Sequence, residues 1–250
     1  MSPSSFPSLR PVRARRLPLL AVVTGSLFAA SSLPAIDIVH YNFNTTGEEA
    51  LALRDTAPGI VSTAVTYNTT TLTRNSAGSG EDRQVQFVVG GDYIGGTTAA
   101  EALGKETYFT FSITVQEGYT LHLSSFSLDI RPSSTTGDRA FYVFSDKTGY
   151  TADKVLLTKS TNGGGLVGSL TNFGTPLGSS VGLQSITGGE TVTFRVYLQT
   201  GGTTQSFTVD NVKLTGTLSA IPEPSTWALI AGLALLVVSA IVRRVARSRC

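Results

Sequence analysis

The sequence predicts an all-β protein, an antiparallel two-sheet sandwich or jelly roll, between two membrane-directed ends. Three observations support this. Segments of the body alternate apolar and polar residues with a period of two, Gly-rich turn sequences separate these segments, and an apolar run flanked by arginines lies near each end of the chain. The length of 250 residues allows one or two domains. Because no long linker divides residues 36–220, we expect a single domain there.

The N-terminus has the order of a secretory signal peptide. Four arginines between residues 10 and 16 precede an apolar stretch from Leu17 to Ala30, and the small-residue segment AASSLPA follows. We therefore expect residues 1–35 to be a signal peptide that is cleaved within 31–35. The alternative is an uncleaved N-terminal anchor.

Four long segments of the body carry the strand pattern: TYFTFSITV (107–115), YTLHLSSFSLDI (119–130), TVTFRVYLQ (191–199) and SFTVDNVKLTGTL (206–218). In the second segment the apolar positions change parity at Ser124 and Ser125, which predicts a β-bulge. Shorter candidate strands are 38–43, 59–66, 84–90, 140–145, 155–159 and 181–186. One short helix is expected at TTAAEALGKE (97–106), ended by Gly104.

The charges are segregated along the chain. Four arginines precede the first apolar run and four follow the last one, so 11 of the 19 basic residues and 16 of the 17 acidic residues remain in 36–220. The body therefore carries about −5, which argues against nucleic acid as a partner. The single cysteine, Cys250, is the last residue, so no disulfide can form within the chain and the fold must be held by burial and backbone pairing.

Catalytic signatures are scarce in the body. It contains two histidines, His40 and His122, and neither a GxSxG nucleophile motif nor an HExxH metal motif. The acidic pairs Glu48-Glu49 and Glu81-Asp82, together with Asp129, are carboxylates that folding would have to gather for glycosidase chemistry. We therefore expect a protein that is not an enzyme, with glycosidase-type activity as the alternative.

The last candidate strand contains Val-Asp-Asn-Val, and this segment loosely resembles the closing strand of jelly-roll domains in carbohydrate-binding modules. The resemblance implies a structural Ca²⁺ bound by Asp210 and Asn211, whose oxygens suit this ion. A strand bulge or edge is the alternative explanation of the Asp-Asn pair. Sugar binding would use exposed aromatic residues for stacking. The body lacks tryptophan, and its available tyrosines are Tyr93, Tyr142, Tyr150 and Tyr197.

The C-terminal segment predicts a transmembrane helix over about 225–242. Its eighteen residues contain no charge and extend roughly 27 Å as a helix, against about 30 Å of hydrocarbon. Trp227 lies at one boundary, and Arg243 and Arg244 lie at the other. By the positive-inside rule these arginines remain cytoplasmic, which places residues 36–224 outside.

The same segment resembles the PEP-CTERM sorting signal in the order of its parts: Pro222-Glu223-Pro224, an apolar helix and a terminal arginine cluster. The resemblance covers residues 221–250. It implies that an exosortase, a membrane cysteine protease-transpeptidase, recognises the segment and cuts near Glu223. It also implies a precursor in the inner membrane, with the body later released or attached at the cell surface or in a polysaccharide matrix.

Two hypotheses on function follow. The first is an exported structural or interaction protein of the cell surface or extracellular matrix. The second is an extracellular carbohydrate-binding module or polysaccharide hydrolase.

Overall fold

The computed structural model describes residues 34–43, 51, 54–77, 84–91, 98–202, 205–221 and 224–247. They belong to a unit that spans Leu33–Cys250. The strands are β1 (Ile36–Tyr41), β2 (Arg54–Thr56), β3 (Ile60–Ser62), β4 (Thr66–Tyr67), β5 (Leu72–Ala77), β6 (Gln84–Val89), β7 (Tyr108–Val115), β8 (Tyr119–Pro132), β9 (Arg139–Ser145), β10 (Leu157–Ser160), β11 (Thr171–Pro176), β12 (Ile186–Thr187), β13 (Thr191–Thr200) and β14 (Ser206–Ala220). The α-helices are α1 (Ala99–Lys105) and α2 (Pro224–Arg247), and single 3₁₀ turns lie at Ala152–Lys154 and Val181–Leu183.

The strands form two antiparallel sheets, which confirms the predicted all-β class. Sheet A has the order β11-β8-β14-β1-β2, with β12 paired to β8, β6 to β14 and β5 to β6. Sheet B has the order β10-β9-β13-β7-β3, with β4 paired to β7. From β6 to β9 and again from β12 to β14, each successive strand lies in the other sheet. This repeated crossing is the connectivity expected of a jelly-roll sandwich.

The core lies between the sheets and is rich in aromatic rings. Phe87 of sheet A stacks on Phe109 of sheet B with 5.0 Å between ring centroids, and Phe126 of sheet A lies 6.0 Å from Phe194 of sheet B. The alternation predicted for β7 and β13 is observed, because their Phe, Val and Ile side chains face inward and are buried. Apolar burial therefore holds the two sheets together in the absence of disulfides.

The predicted bulge in β8 is present. Ser125 pairs with Thr215 of β14, whereas Leu123 pairs with Gly216, so Ser124 is the extra residue. The bulge moves the apolar positions to the other parity and keeps both Leu123 and Phe126 in the core.

Several element boundaries differ from the prediction. Helix α1 begins with a capping box of Thr98 and Glu101, contains Gly104, and ends where Glu106 adopts φ 52°, so Gly104 does not end it. Segment 181–186 forms a 3₁₀ turn before β12 rather than a single strand, and segment 59–66 is divided into β3 and β4. The pattern did not predict β2, β5 and β11, because their sequences RDT, LTRNSA and TNFGTP are largely polar.

The C-terminal segment forms α2, which starts at Pro224 and continues to Arg247, beyond the predicted limit of residue 242. Proline suits the first position of a helix, which is the place that Pro224 has in α2. Pro222, Glu223 and the predicted signal peptide up to residue 33 lie outside the described residues, as does the side chain of Trp227. Within the described part of the chain, no helix is both long enough and apolar enough to cross a membrane.

A glutamate holds the turn between β12 and β13. Oε2 of Glu190 accepts hydrogen bonds from the backbone N–H and the hydroxyl of Thr187, at 2.7 and 2.9 Å, and Oε1 accepts one from Lys147 Nζ at 2.9 Å. These bonds lower the pKa of Glu190 from 4.5 to about 2, and the backbone N–H of Thr187 makes the largest contribution.

The pKa of Glu190 predicts acid sensitivity. Because the folded-state pKa lies below the unfolded value, ionised Glu190 stabilises the fold above about pH 4.5, and the contribution is lost as the pH falls towards 2. Replacing Glu190 with Gln should lower the thermal midpoint near neutral pH, and the difference from the wild type should shrink towards about pH 2. Thermal unfolding followed by circular dichroism across this range measures it. A difference that stays constant with pH would contradict the prediction.

Candidate functional site

The outer face of sheet A carries a continuous row of hydrogen-bonded polar side chains. Asn172 Nδ2 donates to Asp129 Oδ1 at 2.7 Å, and Asn211 Nδ2 donates to Asp129 Oδ2 at 2.8 Å. Nε2 of His40 lies 3.0 Å from Asn211 Oδ1. These four residues, here called the polar row, belong to the adjacent strands β11, β8, β14 and β1. The row therefore crosses half of the sheet.

Asn211, in the middle of the polar row, lies at a β-bulge of strand β14. Asp210 pairs with Asp129 and Lys213 with Ser127, so β14 has one residue more than β8 across this interval. Asn211 takes up the extra length with φ 47°, a left-handed conformation that Asn tolerates better than most residues. The bulge interpretation of the Asp-Asn pair is thus confirmed. The signal in the sequence is the change of parity from Val209 to Val212, both of which are buried.

The network also defines donors and acceptors within the row. Because the Asn211 amide nitrogen donates to Asp129, its oxygen is the acceptor, and Nε2 of His40 must carry the proton of the third bond. Both oxygens of Asp129 accept one amide hydrogen each. A carboxylate oxygen has a second lone pair, so the row keeps acceptor capacity towards solvent.

Two aspartates are paired across the ladder in the middle of this face. Asp210 lies directly opposite Asp129 in the ladder, and such pairs have Cβ atoms about 4.5–5.5 Å apart. Asp210 is 8% exposed, and its Oδ1 accepts the backbone N–H of Asn211 at 2.8 Å. Among the described residues, no group of three or more His, Cys, Asp or Glu side chains is arranged to hold a metal ion. Calcium binding by Asp210 and Asn211 stays a prediction.

Hydroxyl and charged groups border the polar row on the same face. The hydroxyls of Ser125 and Thr215 lie 2.7 Å apart across β8 and β14. Lys213 Nζ forms a 3.2 Å ion pair with Asp37 of β1. The outer face of sheet A is therefore a polar surface whose groups are already positioned by one another.

The outer face of sheet B carries a cluster of tyrosines around an arginine. The Arg195 guanidinium lies 4.5 Å from the ring centroids of both Tyr108 and Tyr150, and its Nη1 donates to the Tyr197 hydroxyl at 3.4 Å. Burial raises the pKa of Tyr150 to about 12. Side chains of α1, among them the fully buried Ala102, pack against this cluster.

This packing determines what the candidate sugar-stacking tyrosines can do. Tyr142 is 6% exposed and Tyr197 is 2% exposed, so neither offers a free ring face, and Tyr150 is half-buried against Arg195. Tyr93 lies outside the described residues. The tyrosine cluster is accordingly a small second core beneath α1, stabilised by cation–π contacts.

Of the candidate carboxylates of the sequence, the structure describes Asp129 alone, so their gathering stays a prediction. Glu48, Glu49, Glu81 and Asp82 lie outside the described residues. The acidic residue that pairs with Asp129 across the ladder is Asp210, which the sequence had suggested only as a calcium ligand. His40 and Asn172 were not recognised as site residues, and only the pairing of distant strands brings them to the row.

No protein-family model and no curated protein sequence matches the chain. Among solved structures, the chain is similar to the CBM22-1–GH10 modules of an endo-1,4-beta-D-xylanase from Clostridium thermocellum complexed with xylohexaose. The sequence identity is 13% and the TM-score is 0.37, and the match covers 75% of this chain and 30% of that one. It is also similar to CBM27-1 from Caldicellulosiruptor saccharolyticus in complex with mannohexaose, with 12% identity, a TM-score of 0.38, and coverage of 73% and 97%.

A third similar structure is the CBM22-1 xylan-binding domain of Paenibacillus barcinonensis, with 10% identity, a TM-score of 0.34, and coverage of 77% of this chain and 100% of that one. The chain spans 30% of the xylanase and 25% of an arabinofuranosidase structure that it also matches. All these TM-scores lie below 0.5, so the similarity does not indicate what this chain binds.

Proposed function

We propose that the sandwich is an exported module that binds extracellular polysaccharide through the polar row on the outer face of sheet A, and that residues 221–250 sort it at the membrane. The polar row is the observation that carries the binding proposal. Its amide, carboxylate and imidazole groups come from four adjacent strands and are fixed by hydrogen bonds of 2.7–3.0 Å. Groups held in this way can bond to ligand hydroxyls with little loss of conformational entropy.

The charge of the body favours a neutral polysaccharide. Residues 36–220 carry about −5, and two carboxylates, Asp129 and Asp210, lie in the middle of the proposed binding face. A chain of uronic acids would bring like charges together there, at an electrostatic cost. The hydroxyls of a neutral sugar would instead donate to the carboxylate and amide oxygens.

Binding is favoured over catalysis by the surroundings of the two carboxylates. Asp129 and Asp210 are directly opposed on one face of the sheet, and retaining glycosidases likewise use two neighbouring carboxyl groups, roughly 5–5.5 Å apart. However, both oxygens of Asp129 already accept amide hydrogens, and Asp210 is nearly buried. This supports a role in holding a ligand rather than in transferring a proton or attacking a sugar. A polysaccharide hydrolase that uses Asp129 and Asp210 is the second candidate.

Polysaccharide binding by the full-length protein in detergent tests the proposal. Calorimetry or affinity electrophoresis with neutral and uronic-acid polysaccharides should show binding to a neutral one. Replacing Asn172 or Asp129 with Ala should weaken that binding tenfold or more, about 1.4 kcal/mol, because each change removes a hydrogen-bonding group of the row. Asn162→Ala, which changes an exposed asparagine outside the polar row, is the matched control and should bind as the wild type.

Two results would contradict the binding proposal. One is an absence of binding to every neutral polysaccharide tested. The other is binding that survives both substitutions in the row. Release of reducing ends that disappears in Asp129→Asn would instead support the hydrolase candidate.

The sorting proposal rests on the sequence of residues 221–250, and it includes membrane insertion of α2, which the length and hydropathy of the described helix do not by themselves indicate. Helix α2 of 24 residues extends about 36 Å. Its described Leu, Val and Ile side chains are each more than half exposed: Leu229, Leu233, Leu235, Leu236, Val237, Val238 and Ile241. Arg243, Arg244 and Arg247 follow them. In a bilayer these apolar side chains would face lipid and the arginines would lie at the cytoplasmic boundary.

Glu223 is the residue whose replacement tests the sorting proposal. In a host that carries an exosortase, Glu223→Ala should leave the protein at full length in the inner membrane, because the enzyme would lose the charged residue of its recognition segment. Mass spectrometry and membrane fractionation measure this. Asp153→Ala, at an exposed acidic residue of the sandwich, should be processed normally. Normal C-terminal shortening of Glu223→Ala would show that the segment is not such a signal.

A further inference from the structure

We infer that, in the membrane-inserted protein, one particular end of the sandwich lies against the lipid headgroups. This end is formed by the turns at 57–59, 116–118 and 187–190 and is here called the membrane-proximal end. The inference rests on the proposed insertion of α2. Beyond that proposal, it specifies which surface of the sandwich faces the bilayer. An enzyme that acts on residues 222–224 would have to accommodate the turns of this surface.

The connection between the sandwich and α2 is very short. Strand β14 ends at Ala220, and the ladder continues one residue further, since Ile221 N–H donates to the Gly118 carbonyl at 2.7 Å. Helix α2 begins at Pro224. Three Cα–Cα steps join Ile221 to Pro224 and span at most about 11 Å. Whatever direction the helix takes, its first turn must therefore lie close to the turn at Gly118.

The turns at this end are tied to one another and to the core strands. Gln116 N–H donates to the Gly59 carbonyl at 2.9 Å, and Gly189 N–H donates to the Val115 carbonyl at 2.8 Å. Val115 N–H in turn donates to the Glu190 carbonyl at 3.0 Å. Because these backbone bonds link three turns, the end can be treated as one surface rather than as independent loops.

The position of this end is imposed by the short connection rather than by charge. Glu117 is exposed at the end, and Lys147 there is paired with Glu190 at 2.9 Å. Acidic side chains of this kind do not attract anionic lipid. A longer connection should therefore release the end from the membrane, which gives the inference a specific test.

The test uses the full chain with single cysteines, since the native Cys250 can be replaced by Ser. A fluorophore is attached at Glu117→Cys, on the membrane-proximal end, or at Asn162→Cys, in an exposed loop at the other end. Strand β8, with 14 residues at about 3.3 Å each, separates the two ends by roughly 45 Å. The protein is reconstituted into phosphatidylethanolamine–phosphatidylglycerol vesicles that contain headgroup-nitroxide lipid.

We expect the nitroxide to quench more than half of the fluorescence at position 117 and less than a tenth at position 162. Inserting about twelve Gly and Ser residues after Ile221 should reduce the quenching at 117 several-fold, because the tether then extends well beyond the headgroup layer. Circular dichroism of each variant verifies that the sandwich is intact.

The outcomes separate this inference from the proposed function. If the protein floats with the vesicles but both labels are quenched equally, or position 162 more strongly, the inference is wrong and membrane insertion stands. Quenching at 117 that does not change with the long insert would likewise contradict it. If the protein does not float with the vesicles, membrane insertion itself is contradicted, and the inference with it.

Discussion

Replacing Phe194 with Ala should lower the free energy of unfolding by about 3–5 kcal/mol, the usual range for removing a buried phenylalanine. Phe194 is fully buried in the middle of β13. Its ring stacks 5.5 Å from Phe111 within sheet B and 6.0 Å from Phe126 of sheet A. The substitution removes packing inside one sheet and between the two sheets, and the backbone ladders on both sides limit collapse into the cavity.

Denaturant unfolding followed by circular dichroism measures this loss. Val181→Ala is a suitable control, since Val181 is 89% exposed and its replacement should change stability by no more than about 0.5 kcal/mol. Equal losses in the two variants would show that Phe194 does not lie in the core. If Phe194→Ala lowered the free energy of unfolding by less than about 1 kcal/mol, this would contradict the packing of the two sheets against each other at Phe194.

Replacing Gly216 with Val should destabilise the protein by about 3 kcal/mol, at the upper end of the cost of overpacking. A Cβ at position 216 would overlap with the carbonyl oxygen of His122 and lie 3.2 Å from Leu123 Cα. Both neighbours are backbone atoms of β8 and cannot rotate away. This close approach lies at the bulge of Ser124, and the substitution would force β8 and β14 apart there.

The matched control is Gly178→Val, because a Cβ at Gly178 meets nothing within 4 Å. Its free energy of unfolding should stay within about 0.5 kcal/mol of the wild type. Chemical denaturation of both variants gives the comparison. Similar stability in the two would mean that β8 and β14 do not approach each other at the bulge as described.

Much of the architecture was predictable because the side-chain period of a strand is encoded locally. The alternation of β7 and β13, the parity change at Ser124 and the first residues of β8 and β14 all follow from which residues are apolar, whereas both strands end two residues later than predicted. Strands with polar sequences, such as β5 and β11, escaped prediction because their stability comes from the neighbours they pair with rather than from their own composition.

In the candidate site, too, local sequence patterns predicted some features, whereas others depend on which strands pair. That Asp210 and Asn211 mark a bulge could be predicted, since the apolar residues change parity around them. That Asn211 reaches Asp129, 82 residues away, and lies beside His40, 171 residues away, could not. A period of two tells which side of a strand a residue occupies but not which strand lies next to it.

By itself, the sequence determined the β class, the faces of the long strands, the segregation of charge and the pattern of the two ends. Only the tertiary structure decided that β11, β8, β14 and β1 are neighbours, and so that four scattered polar residues form one row. It also decided that α1 covers Tyr142 and Tyr197, which removes them as stacking surfaces. The physical reason is that strand order depends on how all the apolar faces are buried together, a property of the whole chain that no local pattern contains.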